Sequence, residues 1–234
     1  MMSFLHFGLR AAVCLALAMS GISASAQFFS VPKELPNLGK LRLEVEAYHD
    51  CRGPYGCYTR DLNRETALAT ADLERVVQTN RNHAKLAVVL DIDETSLTNY
   101  AEMLRDDFAY SPEAWDRWAL QADAPAIPGT LRFYREARRL GVAVFFITGR
   151  PESERAATGE NLRRDGYTQW AGLTLRSATE AKMPTIAYKS AARQKTVNAG
   201  YRIAVNIGDQ LSDLEGKPEA EYSVKLSDPF YYIP

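Results

Sequence analysis

The chain of 234 residues is poor in the side chains that bind soft metals, with three cysteines and three histidines. His49 and His83 share no ligand spacing, and two cysteines beside His49 do not make a zinc tetrad. An excess of one charge is also missing. Lys and Arg total 28 against 29 Asp and Glu, a formal net charge of -1, so no general basic field points to a nucleic-acid polymer as partner. No internal repeat or low-complexity tract is present. The apolar run AAVCLALAM near the N-terminus is too short to span a bilayer, so no stable membrane span is expected.

That run belongs to a leader. MMSFLHFGLR carries Arg10, the apolar run follows, and SGISASA ends in small residues. Residues 1–26 therefore predict a secretory signal peptide cut after Ala26, and a periplasmic or secreted location. Cys14 follows Val13 rather than a small residue, which argues against a lipoprotein site. Cys51 and Cys57 remain and flank RGPYG, where Gly53, Pro54 and Gly56 favour a tight turn. In an oxidising compartment they read as one disulfide, with two free thiols as the alternative.

Residues 36–83 are mostly helical in pattern. After them short apolar runs alternate with longer periodic segments. Buried strands are expected at Ala87–Leu90, Val142–Ile147, Leu173–Leu175, Ile203–Ile207 and Ser223–Leu226. Helices are expected at Pro128–Leu140, Pro151–Asp165 and Ala187–Ala199. Pro128 and Pro151 suit first-turn positions, and Gly141, Gly166 and Gly200 suit helix ends. Alternating strands and helices predict an α/β fold, a parallel sheet covered on both faces. Reactive groups in such sheets gather at the carboxyl ends of the strands.

Acids and a hydroxyl stand at those ends. LAVVLDIDETSLTNY runs from five apolar residues into Asp91, Asp93 and Glu94. FFITGR brings Thr148 to Arg150, and NIGDQLSDL brings Asp209 and Asp213. Carboxylates gathered at a sheet edge repel one another unless a positive partner joins them. Without a His or Cys cluster, the pattern asks for a hard cation with oxygen ligands. Mg²⁺ fits best, and DIDET lacks the glycine and ligand count of a calcium loop. Phosphate is the usual reason for such an ion. Lys189 and Thr148 can meet phosphoryl oxygens, Asp91 can act as nucleophile, and Asp93 can serve as acid and base. Each residue also has a plainer reading: Thr148 as a helix cap, Lys189 as a solvated lysine, Asp213 as a first-turn acid. Arg150 is left between phosphate and a nearby acid.

In this order LAVVLDIDETSLTNY, FFITGR, AYKS and NIGDQLSDL resemble the four motifs of the haloacid dehalogenase superfamily. More narrowly they resemble its subfamily IIIB acid phosphatases, which include plant vegetative storage proteins and secreted bacterial acid phosphatases. The resemblance covers roughly residues 36–234. It implies a three-layer Rossmann-like fold with a core over about 84–234, a small helical cap over about 99–127 and N-terminal helices, all within an acid phosphatase domain of residues 27–234. It implies Asp91 as the nucleophile and Asp93 as general acid/base. Thr148, Gly149 and Lys189 become the phosphate-binding set. Asp91, Asp93 (through its backbone carbonyl), Asp209 and Asp213 become the ligands of Mg²⁺. Leu211 stands where an aromatic is common. The implied activity is a secreted, magnesium-dependent phosphomonoesterase acting on small molecules through an aspartyl-phosphate. Transfer to an alcohol, or a storage protein with a weakened site, are the alternatives. A homo-oligomer is left open, because PFYYIP can pack on the core or join a partner. Glu94 receives no role.

Overall fold

The computed structural model describes residues 35–54 and 56–233; the expected signal peptide lies outside them. Two helices come first, α1 (Leu38–His49) and α2 (Tyr58–Thr79). Between them Cys51 and Cys57 are joined as a disulfide, Cα to Cα 4.3 Å. The buried stripe of α2, Leu62, Ala69, Leu73 and Val76, has the spacing of one helical face.

Five strands form one parallel sheet: β1 (Lys85–Leu90), β2 (Ala143–Pro151), β3 (Gly172–Arg176), β4 (Tyr201–Gly208) and β5 (Tyr222–Lys225), in the spatial order β3-β2-β1-β4-β5. Period-two alternation divides β1 between two layers. Leu86, Val88 and Leu90 pack with Leu73 of α2 and with Phe133 of α5 (Pro128–Arg139). Val89 faces away, with Tyr188 and Ala192 of α7 (Thr185–Asn198). Helices thus cover both faces, as parallel strands require. In β4 one residue is extra: Ile203 pairs with Ala87 but Val205 pairs with Val88. The bulge at Ala204 keeps Val205 and Ile207 in the core cluster of Val88 and Leu90.

All five expected strands are present. One helix start is not where the sequence pattern put it. Pro151 is the last residue of β2, paired with Arg176 of β3, and α6 begins only at Arg155 (Arg155–Arg164) after a short 3₁₀ turn, Glu152–Glu154. Pro151 is extended, with ψ 152°, and its fixed φ suits a strand end as well as a helix start. The same extension places Thr148, Gly149 and Arg150 within β2 rather than beyond it. The interval after β1 holds two short helices, α3 (Tyr100–Arg105) and α4 (Pro112–Gln121). A last short helix, α8 (Leu211–Leu214), follows β4. Among the described residues no helix is long and apolar enough to cross a membrane.

Candidate active site

The carboxyl ends of β1, β2 and β4 meet at a cavity of about 590 Å³. Asp91 leaves β1 with its N–H on the carbonyl of Ile207, so β1 and β4 are still paired where the acids begin. Lys189, in the first turn of α7, is buried and donates to Asp91 and, at 2.6 Å, to Asp213. It also donates to the carbonyl of Ile147 at 2.8 Å. Asp209 ends β4 and accepts from Thr95 at 2.9 Å and from Gln210 at 2.8 Å. Oxygens of Asp91, Asp209 and Asp213 lie within 4.8 Å of one another. Such a cluster, wholly oxygen and buried, suits a hard divalent cation.

The charges agree with that. Burial pushes the Asp91 carboxyl well above the usual carboxylate range; Lys189 opposes the push, and Asp213, Asp209 and Asp93 add to it. Asp209 is pushed up in the same way, by burial first and then by Asp213 and Asp228. Burial acts to lower the Lys189 pKa, but Asp213 and Asp91 outweigh it and hold the ammonium charged. One lysine does not neutralise these acids, and a further positive charge would let them ionise together.

The Asp93 carboxylate stands outside that cluster. Arg150, itself buried, grips it with Nε at 3.0 Å and Nη2 at 2.6 Å from Oδ1. Asn99 adds a donor at 2.9 Å, and Thr148 Oγ1 lies 3.4 Å from Oδ2. Burial raises the Asp93 pKa, yet Arg150 and Asn99 prevail and hold it below the usual range. Asp93 and Asp91 are thus pushed in opposite directions two residues apart. Opposite shifts within one site are how neighbouring carboxyls acquire different tasks.

Glu94 has a structural task. Its φ is +52°, a left-handed conformation uncommon outside glycine, and its side chain is fully buried. Its two oxygens accept the Asn99 backbone N–H at 2.6 Å and the Asn99 side-chain amide at 2.9 Å. Trp118 of α4 donates to the Asn99 carbonyl oxygen at 2.8 Å. The loop carrying Asp91 and Asp93 is therefore tied through Asn99 to α4.

Close packing fixes Asp213. A Cβ on Gly208 would meet the Asp213 Cβ at 2.3 Å, so only glycine admits that approach. Asp213 accepts the Gln210 backbone N–H at 3.0 Å, and its own carbonyl accepts from Asn206 at 2.9 Å. The C-terminal segment packs here as well. Tyr231 and Ile233 line the cavity, and the Ile233 N–H donates to Gln210 at 3.1 Å. Leu211 is exposed and is not among the residues lining the cavity.

The motifs thus bring Asp91, Asp93, Thr148, Gly149, Lys189, Asp209 and Asp213 to one sheet edge. Thr148 does not cap a helix; its Oγ1 accepts the Arg150 N–H at 3.1 Å. Sequence reasoning did not assign Arg150 to Asp93, and it passed over Asn99, Thr95 and Gln210. Arg150 was signalled by its place in TGR, whereas nothing in the sequence marks Asn99.

Comparison with known proteins agrees with the topology. The family described as HAD superfamily, subfamily IIIB (Acid phosphatase) matches residues 27–234. Acid phosphatase 1 of Solanum lycopersicum is 38% identical over 148 residues, 62% of this chain and 58% of that protein. The Stem 28 kDa glycoprotein of Glycine max is 31% identical over 211 residues, 88% of this chain and 78% of that one. The chain thus spans under two thirds of the tomato protein's length. The class C acid phosphatase from Bacillus anthracis shares the fold, with a TM-score of 0.67 at 23% identity over 83% of this chain and 86% of that one. The chain belongs to subfamily IIIB of the HAD superfamily.

Proposed function

We propose that the protein is an exported, magnesium-dependent phosphomonoesterase that works through a phosphoryl group carried on Asp91. The carrying observation is Asp91 at the end of β1, within one cluster with Asp209 and Asp213 and bonded to Lys189. Asp91, Asp209 and Asp213 would hold the ion, which supplies positive charge to the phosphate and lets the acids ionise. Asp91 attacks phosphorus, and the bond to the leaving oxygen breaks. Asp93 gives its proton to that oxygen, then takes one from the water that attacks the phosphoryl-aspartate. Lys189 and Thr148 meet the phosphoryl oxygens as charge develops. Arg150 and Asn99 keep the Asp93 carboxylate in place between the two steps. The N-terminal leader motif supports export.

The test is direct. Labelled substrate quenched in acid should leave label on Asp91, and Asp91→Asn should abolish turnover; normal turnover in that variant would refute the mechanism. A storage role is the second reading, suggested by relatives named for storage, such as Vegetative storage protein 1 of Arabidopsis thaliana, 34% identical over 151 residues, 62% of this chain and 55% of that one. The intact set of Asp91, Asp93, Lys189 and Asp209 favours the enzyme. Absence of metal-dependent turnover on a broad panel of phosphoesters would favour storage.

A further inference from the structure

The cavity has a second acidic wall to which the proposed reaction gives no task. Glu154, in the turn after β2, and Glu102, in α3, are each 2% exposed. Both line the cavity that holds Asp91. Among the described residues, both Glu154 oxygens and Oε1 of Glu102 are buried without a hydrogen-bond partner. Glu102 Oε2 is taken by Arg105. Asp116 of α4 lines the same cavity.

Buried carboxyl oxygens normally have donors, and those that lack them await one. The cationic side chains lining this cavity are Arg150 and Lys189, and both are committed. Arg150 holds Asp93 and reaches Thr158 at 3.3 Å, while Lys189 holds Asp91 and Asp213. The acidic wall therefore has no positive partner left within the cavity. Two aromatic residues, Tyr110 and Trp115, line it as well, with ring centroids 6.2 Å apart. Carboxylates together with aromatic faces are the surroundings that recognise an alkylammonium group.

We propose that Glu154 and Glu102, with Asp116, form a subsite that selects phosphomonoesters whose alcohol carries a positively charged nitrogen. The subsite rests on the phosphomonoesterase reading above, because its ligand is the leaving group of that reaction. The acidity of Glu154 agrees with it. Burial, opposed by Arg150 and reinforced by Asp93 and Asp116, raises that carboxyl to about 7. A cation beside it reverses the push and keeps it ionised.

The test compares phosphocholine with 3,3-dimethylbutyl phosphate, which replaces the charged nitrogen by carbon at the same size. The wild-type protein should prefer phosphocholine by about tenfold in kcat/KM, carried mainly by KM. Glu154→Gln and Asp116→Asn should each narrow that ratio. Because the ratio is taken on one enzyme at a time, changes in overall rate cancel. Equal use of the two esters, or a preference that survives both substitutions, overturns the subsite. Calorimetry with choline chloride reads the subsite without turnover. Choline binding weakened about tenfold in Glu154→Gln supports it, and equal binding of choline and 3,3-dimethylbutanol overturns it. If neither ester is hydrolysed while choline binds as expected, the subsite stands and the phosphomonoesterase reading falls.

Discussion

Asn99→Ala should be among the most damaging single changes outside the hydrophobic core. The Asn99 side chain makes three hydrogen bonds, to Glu94 at 2.9 Å, to Asp93 at 2.9 Å and from Trp118 at 2.8 Å. Truncation leaves the Trp118 N–H without its partner in the interior and removes a donor from two buried acids. An unpartnered buried donor costs about 1–3 kcal/mol, and a bond to a charged group contributes about 1.5–3 kcal/mol. The loss should total about 4 kcal/mol. With an m-value of about 2.5 kcal/mol/M, the urea midpoint should fall by about 1.5 M at unchanged m. The loss should also depend on pH. Burial already raises the Glu94 pKa well above its usual value, and the Asn99 bonds counter that rise. A raised acid makes the folded state hold a proton that the unfolded state has released, so stability falls as pH rises from the unfolded pKa to the folded one. Removing Asn99 lifts the folded pKa further, so the variant keeps losing stability above the wild-type value. The measured destabilisation should be smaller at pH 5 than at pH 8. Urea titrations of both proteins at those two pH values decide the matter. A loss under about 1 kcal/mol, or one that shrinks as pH rises, would refute the reasoning.

Arg150→Met should move the alkaline limb of the kcat/KM profile to higher pH. The proposed first step needs protonated Asp93, and without Arg150 the effect of burial on that carboxyl is no longer outweighed; an unmoved limb would contradict the pairing. Gly208→Ala should weaken divalent-cation binding at least tenfold in calorimetry, because the added Cβ displaces Asp213 from the cluster. Arg193→Met should open the turn after α8 to early hydrogen exchange. That buried guanidinium binds the carbonyls of Asp213 at 2.5 Å, Gly216 at 3.0 Å and Pro218 at 2.9 Å. Replacing Cys51 and Cys57 by Ser should lower stability by about 2 kcal/mol in denaturant titration, as expected for a loop this short.

Apolar runs bounded by glycine, proline and acids were enough to place β1, β2, β4 and their order along the chain. Their polar termini were legible because a functional carboxylate at a strand end breaks the apolar pattern, as Asp91 does after Leu90. Pro151 misled because one fixed φ serves both a strand end and a helix start; only pairing with Arg176 of β3 chose between them. The partners of these acids were harder to see. Asn99 sits in a loop whose sequence has no period, and its bonds depend on a left-handed Glu94 and on Trp118, 19 residues away. Glu154 and Glu102 look like ordinary helix-flanking acids in sequence, and only burial sets them apart.

The extra residue at Ala204 has a consequence for chain length. Side chains along a strand take alternate sides, so the count of residues between Ile203 and Asp209 acts as a parity rule for the site. Deleting Ala204 would leave the composition of β4 almost unchanged. It would turn Asn206 away from the Asp213 carbonyl and send Val205 and Ile207 toward α7. A second, compensating deletion before Asp209 would restore the facing of the acid but not of the residues between. Insertions and deletions in this strand should therefore be far less tolerated than substitutions of one apolar residue for another, and length here carries information that residue identity does not.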